Sequence, residues 1–147
     1  MIIIIAKYSI QAHGENATKT VVETTGGLKI TIDEPERLGG GGEGPNPVEY
    51  LLASLAGCLN IVGHLAASEM GFALDDLKID IKGKLDPAKF KGKSDKTRAG
   101  YQEIDVSVAV KTDAEQETLN KWLKIVKERC PVSDNISNQT PVTINLD

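Results

Sequence analysis

The chain has 147 residues, of which 40% are hydrophobic and 26% charged, with a net charge of -4 at neutral pH. This suits one globular domain with its own core, expected to span residues 1–147. The acidic surplus argues against a chain built as a whole for nucleic acid or an anionic membrane surface.

Aromatic residues make up only 4%, so Ile, Val, Leu and Ala must supply the core. The opening MIIIIAKYSI lacks a basic leader and a small-residue cleavage site, and reads as a strand rather than a signal peptide. No apolar run is expected to approach the ~20 residues needed to cross a bilayer.

The N-terminal third reads as a β-meander. Ala6, Tyr8, Ile10 and Ala12 alternate with polar positions, Thr18 to Thr24 is a second β-rich run, and Leu28 to Asp33 a third. Gly14-Glu15-Asn16 and Gly26-Gly27 mark the turns between them. Glu34 to Pro47 then holds five glycines and three prolines and reads as a flexible connection. It contains no GxxxxGK[ST] phosphate cradle.

Asn46-Pro47 opens a helix, with Asn as N-cap and Pro in the first turn, where its missing N–H costs nothing. The helix is expected to run to Met70 and to stop at Gly71. Val48 to Ala67 is apolar or small almost throughout, so the helix wants cover on every side. A chain of this size cannot provide that alone, which points to a partner subunit. Ala56, Asn60, Gly63 and Ala67 share one face, where small side chains permit close helix packing.

Asp76 to Leu85 and Tyr101 to Thr112 alternate as strands on either side of a polar stretch. That stretch, Lys82 to Arg98, carries seven basic and two acidic residues. With Phe90 its only aromatic side chain, it lacks the stacking partners of a nucleic-acid site and reads as a solvated loop. A last helix is expected with Asp113 as cap, Gln116 in the capping-box position, and Leu119, Trp122, Leu123 and Val126 as its apolar stripe. Pro131 ends it, and a final strand is expected around Val142, Ile144 and Leu146.

Two cysteines, Cys58 and Cys130, are too few for a disulfide-stapled secreted scaffold, and a cytoplasmic setting is expected. Cys58 lies mid-helix among apolar residues. It is either an inert buried thiol or a reactive one that needs a cation from elsewhere, because burial alone disfavours the thiolate. Cys130 directly precedes Pro131; if a new helical turn opens there, Cys130 is its N-cap and backbone N–H groups favour its thiolate. The other reading closes the preceding apolar stripe with it. Arg37 is the only arginine before residue 98, and its guanidinium could stabilise a Cys58 thiolate. Glu49 stands in the first helical turn, where a carboxylate suits the dipole. It points about 180° away from Cys58 round the helix. His13 and His64 show no metal-ligand spacing with the cysteines, and no GxSxG is present.

The run GPNPVEYLLASLAGC, Gly44 to Cys58, resembles the central-helix signature of the OsmC/Ohr family. RCPVSDNIS, Arg129 to Ser137, resembles that family's second-cysteine motif, Cys-Pro-x-Ser. The resemblance covers most of the chain, best from Leu28 onward. It implies an α+β fold: antiparallel sheets wrapped around a long buried central helix, in an intertwined homodimer with active sites at the subunit interface. It also implies a thiol peroxidase of organic hydroperoxides, an antioxidant stress-response oxidoreductase without metal, haem or flavin. Cys58 resembles the peroxidatic cysteine, Cys130 the resolving one, and Arg37 the arginine that activates the thiolate. A dithiol reductant of lipoyl or thioredoxin type is the implied partner, with no nucleic acid and no membrane. One position departs from the pattern. The active-site glutamate of the well-studied branches directly follows Asn-Pro, whereas here Val48 does and Glu49 comes next, which rotates the side chain by about 100°. Glu49 is therefore the candidate for that role, and a non-catalytic protein binding an apolar small molecule at the dimer interface is the alternative.

Overall fold

A computed structural model of the chain describes residues 3–146. The chain divides into two compact units, Met1–Leu51 and Leu52–Asp147, taken here in turn.

The first unit carries an antiparallel meander of β1 (Ile10–Gly14), β2 (Thr20–Thr24) and β3 (Lys29–Ile32). Ile10 pairs with Thr24 and Gly14 with Thr20, while Thr20 also pairs with Ile32. The side chain of Asn16 accepts from the N–H groups of Thr18 and Lys19 at 2.9 and 2.8 Å and closes the first turn. The expected strand begins later than its alternation suggests: residues 3–9 form no regular element, and Ile3, Ile4, Ile5 and Tyr8 are exposed. Met1 and Ile2 lie outside the described residues. Alternation makes a strand only where a neighbour pairs its backbone, and the β1–β2 ladder starts at Ile10.

The glycine-rich connection is built rather than loose. Asp33, 1% exposed, accepts from the N–H groups of Glu34 at 2.8 Å, Gly41 at 3.0 Å and Glu43 at 3.2 Å. Burial works to raise its carboxyl, but these bonds and one from the Thr18 hydroxyl outweigh it and hold the group below its ordinary value. A β-carbon on Gly40 would sit 1.8 Å from the carbonyl oxygen of Glu34, so this segment tolerates no side chain there.

Helix α1 (Pro47–Glu69) starts where the Asn-Pro signal places it. Asn46 Oδ1 accepts from Glu49 N–H and Glu49 Oε2 accepts from Asn46 N–H, both at 2.9 Å, a reciprocal capping box. At the other end Gly71 adopts a φ of 82°, with Phe72 N–H bonding Ala67 O at 3.0 Å and Gly71 N–H bonding Ser68 O at 3.1 Å, which closes the helix. The 23 residues carry charge only at Glu49 and Glu69, and by length and composition they could cross a membrane. This corrects the expectation that no such run exists. Interspersed Ser, Asn and His break the run to the eye but add no charge.

In the second unit, β4 (Asp76–Lys84) and β5 (Glu103–Lys111) form an antiparallel hairpin pairing Leu77 with Val110 and Ile79 with Val108. Leu55, Leu59, Val62, Ala66 and Ala67 of α1 are buried and form one core with Trp122 and Val126 of α2 (Gln116–Arg129) and with Cys130. The hairpin packs the alternate residues Leu77, Ile79, Ile81, Ile104, Val108 and Val110 against it. One chain thus covers one face of α1, while Ile61 and Leu65 stay exposed at 68% and 48%.

Helix α2 starts later than expected. Its N-cap is Glu115, without a side-chain bond, and Asp113 does not cap it. Thr112 takes over the approach: its hydroxyl donates to Ala73 O at 2.7 Å and accepts from Ala114 N–H at 3.3 Å. Gln116 instead bonds Asn120 one turn on, at 3.1 Å. Pro131 opens a separate helix α3 (Pro131–Ser137), and no strand follows it among the described residues. Val142, Ile144 and Leu146 are exposed, and no strand pairs with them among the described residues, so their alternation remains without a ladder.

Candidate active site

Cys58 sits on the flank of the buried face of α1, between Leu55 and Leu59, and is partly exposed. What faces it depends on α2. The Trp122 indole lies over Gly63, its Nε1 donating to the Gly63 carbonyl at 2.8 Å. A β-carbon at Gly63 would stand 3.2 Å from the indole ring and 3.3 Å from Leu77, so the small residue sets how closely the layers approach. Of the expected small-residue face, Gly63 and Ala67 are buried, whereas Asn60 is exposed. Near their C-terminal ends the two helices are tied again by a forked ion pair between Arg129 and Glu69, one arm of it 3.2 Å long.

The residue after Arg129 is Cys130. Pro131 cannot continue α2, so the chain turns and Cys130 becomes the N-cap of α3, its sulfur accepting from Ser133 N–H at 3.3 Å. The turn delivers Cys130 to Cys58. The two sulfurs are 2.9 Å apart, both as free thiols, with Cys130 placed to donate. Cys130 is 1% exposed. Burial, then its bond to Cys58, pushes its thiol above the ordinary value, and the N–H groups of Ser133 and Val132 offset this only in part. The N-cap position is as expected, but burial outweighs the helix N–H groups and disfavours a thiolate at Cys130.

A cavity of about 240 Å³ lies in the same unit and reaches Ser133, whose N–H caps Cys130. Its walls are apolar residues of α1, the hairpin and α2, among them Leu55, Leu59, Ile79, Val108, Trp122 and Val126, with Lys127 and Ser133 adding polar atoms. Ser133 belongs both to the cavity wall and to the cap on Cys130. In the sequence it is the serine of the Cys-Pro-x-Ser motif and the third residue after a helix N-cap, where the first free N–H groups point back at the cap.

Arg37 and Glu49 belong to the first unit. Arg37 is exposed on a 3-10 turn (Glu36–Leu38), and among the described residues it forms no ion pair. Glu49 is engaged in the capping box. No ion pair joins the two among the described residues.

This arrangement, a long apolar helix carrying one thiol 2.9 Å from a second thiol on a Cys-Pro helix cap, is matched in sequence by the OsmC-like protein family over residues 40–145. The chain belongs to the OsmC-like family. Solved OsmC-like structures share its fold. The OsmC-like protein from Mycoplasma pneumoniae superposes with a TM-score of 0.78 at 19% identity, covering 91% of this chain and 89% of that one. An organic hydroperoxide resistance protein OsmC from Legionella pneumophila gives 0.63 at 24% identity, covering 90% of both. An organic hydroperoxide resistance protein from Elizabethkingia anophelis gives 0.64 at 15% identity and covers 90% of this chain and 89% of that one. No curated relative matches the sequence. At these identities the likeness is one of fold, an α+β fold of small antiparallel sheets and a long helix.

Proposed function

We propose that this OsmC-like protein is a cysteine-based peroxidase that reduces organic hydroperoxides. The observation that carries the reading is the 2.9 Å approach of Cys58 and Cys130. The partly exposed Cys58 is the attacking sulfur, because a peroxide can reach it, whereas Cys130 is 1% exposed. The Cys58 thiolate attacks the terminal oxygen of ROOH; the O–O bond breaks, an S–O bond forms, and the alkoxide leaves as the alcohol after taking a proton. The Cys130 sulfur then displaces hydroxide from the Cys58 sulfenic acid, releasing water and forming the Cys58–Cys130 disulfide. A dithiol of lipoyl or thioredoxin type reduces that disulfide by two exchange steps and becomes a disulfide itself. The apolar cavity favours substrates with greasy R groups over hydrogen peroxide. Arg37 is assigned the thiolate-stabilising cation on the family resemblance. Glu49 is assigned the carboxylate role that Val48 cannot fill, in addition to its cap.

The working unit is proposed to be a homodimer. Ile61 and Leu65, one turn apart on α1, and the alternating Val142, Ile144 and Leu146 are apolar and exposed in one chain, and a second copy would cover them. Two cysteines are too few for a disulfide-stapled secreted scaffold, which supports a cytoplasmic location.

Dithiothreitol-supported consumption of cumene hydroperoxide is the test. Turnover is expected for the wild type and is lost in Cys58→Ser. Cys130→Ser should complete only the first step and leave a sulfenate that dimedone labels at Cys58. A wild type that consumes no hydroperoxide rejects the reading. The cavity would then favour the second one, a non-catalytic site for an apolar small molecule, to be read by displacement of a hydrophobic dye.

A further inference from the structure

The connection between β4 and β5 is left unused by the thiol chemistry. Its base is fixed: Lys84 and Glu103 pair across the hairpin at 2.8 Å, and Gln102 Oε1 accepts from Asp86 N–H at 3.0 Å. Asp86 organises the interior, accepting from Ala88 N–H and from the Thr97 hydroxyl, both at 2.9 Å. These bonds hold its carboxyl below the ordinary value, with the Ala88 N–H as the largest cause. The loop is therefore a preformed display.

What it displays is one-sided. Phe90 is 78% exposed, between Lys89 and Lys91 in the chain. Lys89 pairs with Asp95 at 3.6 Å, whereas Lys91, Lys93, Lys96 and Arg98 have no ion-pair partner among the described residues. Lys82 and Lys84 stand opposite Asp105 and Glu103 across the hairpin, but the loop itself, residues 85–98, holds five basic and two acidic side chains. The overall negative charge thus conceals a local patch of opposite sign, and it is the patch that a docking surface meets.

We propose that this loop docks the protein onto membranes rich in anionic phospholipid, with Phe90 entering the interface and the lysines and Arg98 meeting lipid phosphates. A lone exposed aromatic flanked in the chain by exposed cations suits a bilayer surface, where the ring leaves water and the charges stay at headgroup level. A single-stranded nucleic acid needs successive stacking faces, and this loop has one. The proposal is independent of the peroxidase reading, since it requires no thiol.

Co-sedimentation of the full chain with phosphatidylcholine vesicles, with and without phosphatidylglycerol, tests it. Binding is expected only with phosphatidylglycerol, should weaken as salt rises, and should fall about fivefold for each lysine neutralised. Lys91→Gln/Lys93→Gln/Lys96→Gln should therefore lose it, and Phe90→Ser should weaken it, with circular dichroism unchanged in both because the side chains are exposed. No binding to the anionic vesicles, equal binding to neutral ones, or binding undiminished in the triple variant overturns the proposal. Binding to a single-stranded RNA oligomer without binding to vesicles overturns it equally.

Discussion

Trp122 ties α2 to α1 through Gly63, and Trp122→Ala should show it. The side chain is 3% exposed, lies over Gly63 and forms part of the wall of the 240 Å³ cavity. Truncating a buried Trp costs about 3–5 kcal/mol in lost transfer free energy and residual void. The upper half of that range applies here, because the new void joins an existing cavity and the surrounding layers cannot collapse into both. Loss of the indole N–H bond to Gly63 adds little, since that carbonyl lies within α1 and the bond contributes about 0.5–1.5 kcal/mol. Against a total stability of about 5–15 kcal/mol for a domain, the variant should be severely weakened. At about 2–4 °C per kcal/mol for this chain length, the melting temperature should drop by about 8–20 °C. Far-UV circular dichroism is the assay, because Trp122 is the only tryptophan and its fluorescence disappears with it. Trp122→Phe should fall between the two, with roughly 1–3 kcal/mol lost. A melting temperature within about 3 °C of wild type for Trp122→Ala would refute the claim that this contact holds α2 against α1.

Four further outcomes follow from the geometry. Glu49→Ala should lose about 1 kcal/mol of stability through the capping box, whereas Glu49→Gln keeps the cap; a fall in peroxidase turnover in Glu49→Gln at unchanged melting temperature therefore reports a catalytic carboxylate, and unchanged turnover removes Glu49 from the chemistry. Asp33 has a folded carboxyl held below its unfolded value, so its contribution is full above pH ~4 and is lost as pH falls through the folded value; urea melts should show Asp33→Asn less stable at neutral pH with a shallower acid slope, and an unaltered slope would contradict this. Gly40→Ala forces a β-carbon into the Glu34 carbonyl and should cost about 1–3 kcal/mol or more in chemical denaturation. Glu69 and Arg129 are each about half exposed, so Arg129→Ala should cost only about 0.2–1 kcal/mol, and less in high salt.

The sequence discloses this molecule wherever a local chemical rule decides the structure. Asn46, Pro47 and Gly71 delimit α1 because capping and positive φ are properties of a few adjacent residues. Alternation places β4 and β5 for the same reason, and Cys130 before Pro131 announces its own cap. The misses concern distant groups. The start of α2 depends on Thr112 reaching Ala73, thirty-nine positions away. The glycine run reads as slack because its organiser, the buried carboxylate of Asp33, lies outside it. Val142, Ile144 and Leu146 alternate like a strand, but a strand also needs a neighbouring ladder. The meeting of the two cysteines is a tertiary fact with no local signature, since 72 positions separate them; only the resemblance of their two motifs to a family suggested it. Ser133 is legible only as part of the Cys-Pro-x-Ser motif, and Trp122 only as one member of an apolar helical stripe.

The central claim is that the two sulfurs act as one redox unit, and mass spectrometry after one equivalent of cumene hydroperoxide tests it most directly. The account predicts that the reduced wild type loses two thiols together, forms an intramolecular Cys58–Cys130 disulfide, and recovers both thiols with a dithiol. Recovery of Cys58 and Cys130 as unmodified thiols, or oxidation of Cys58 to sulfinic acid with Cys130 still free, would contradict it.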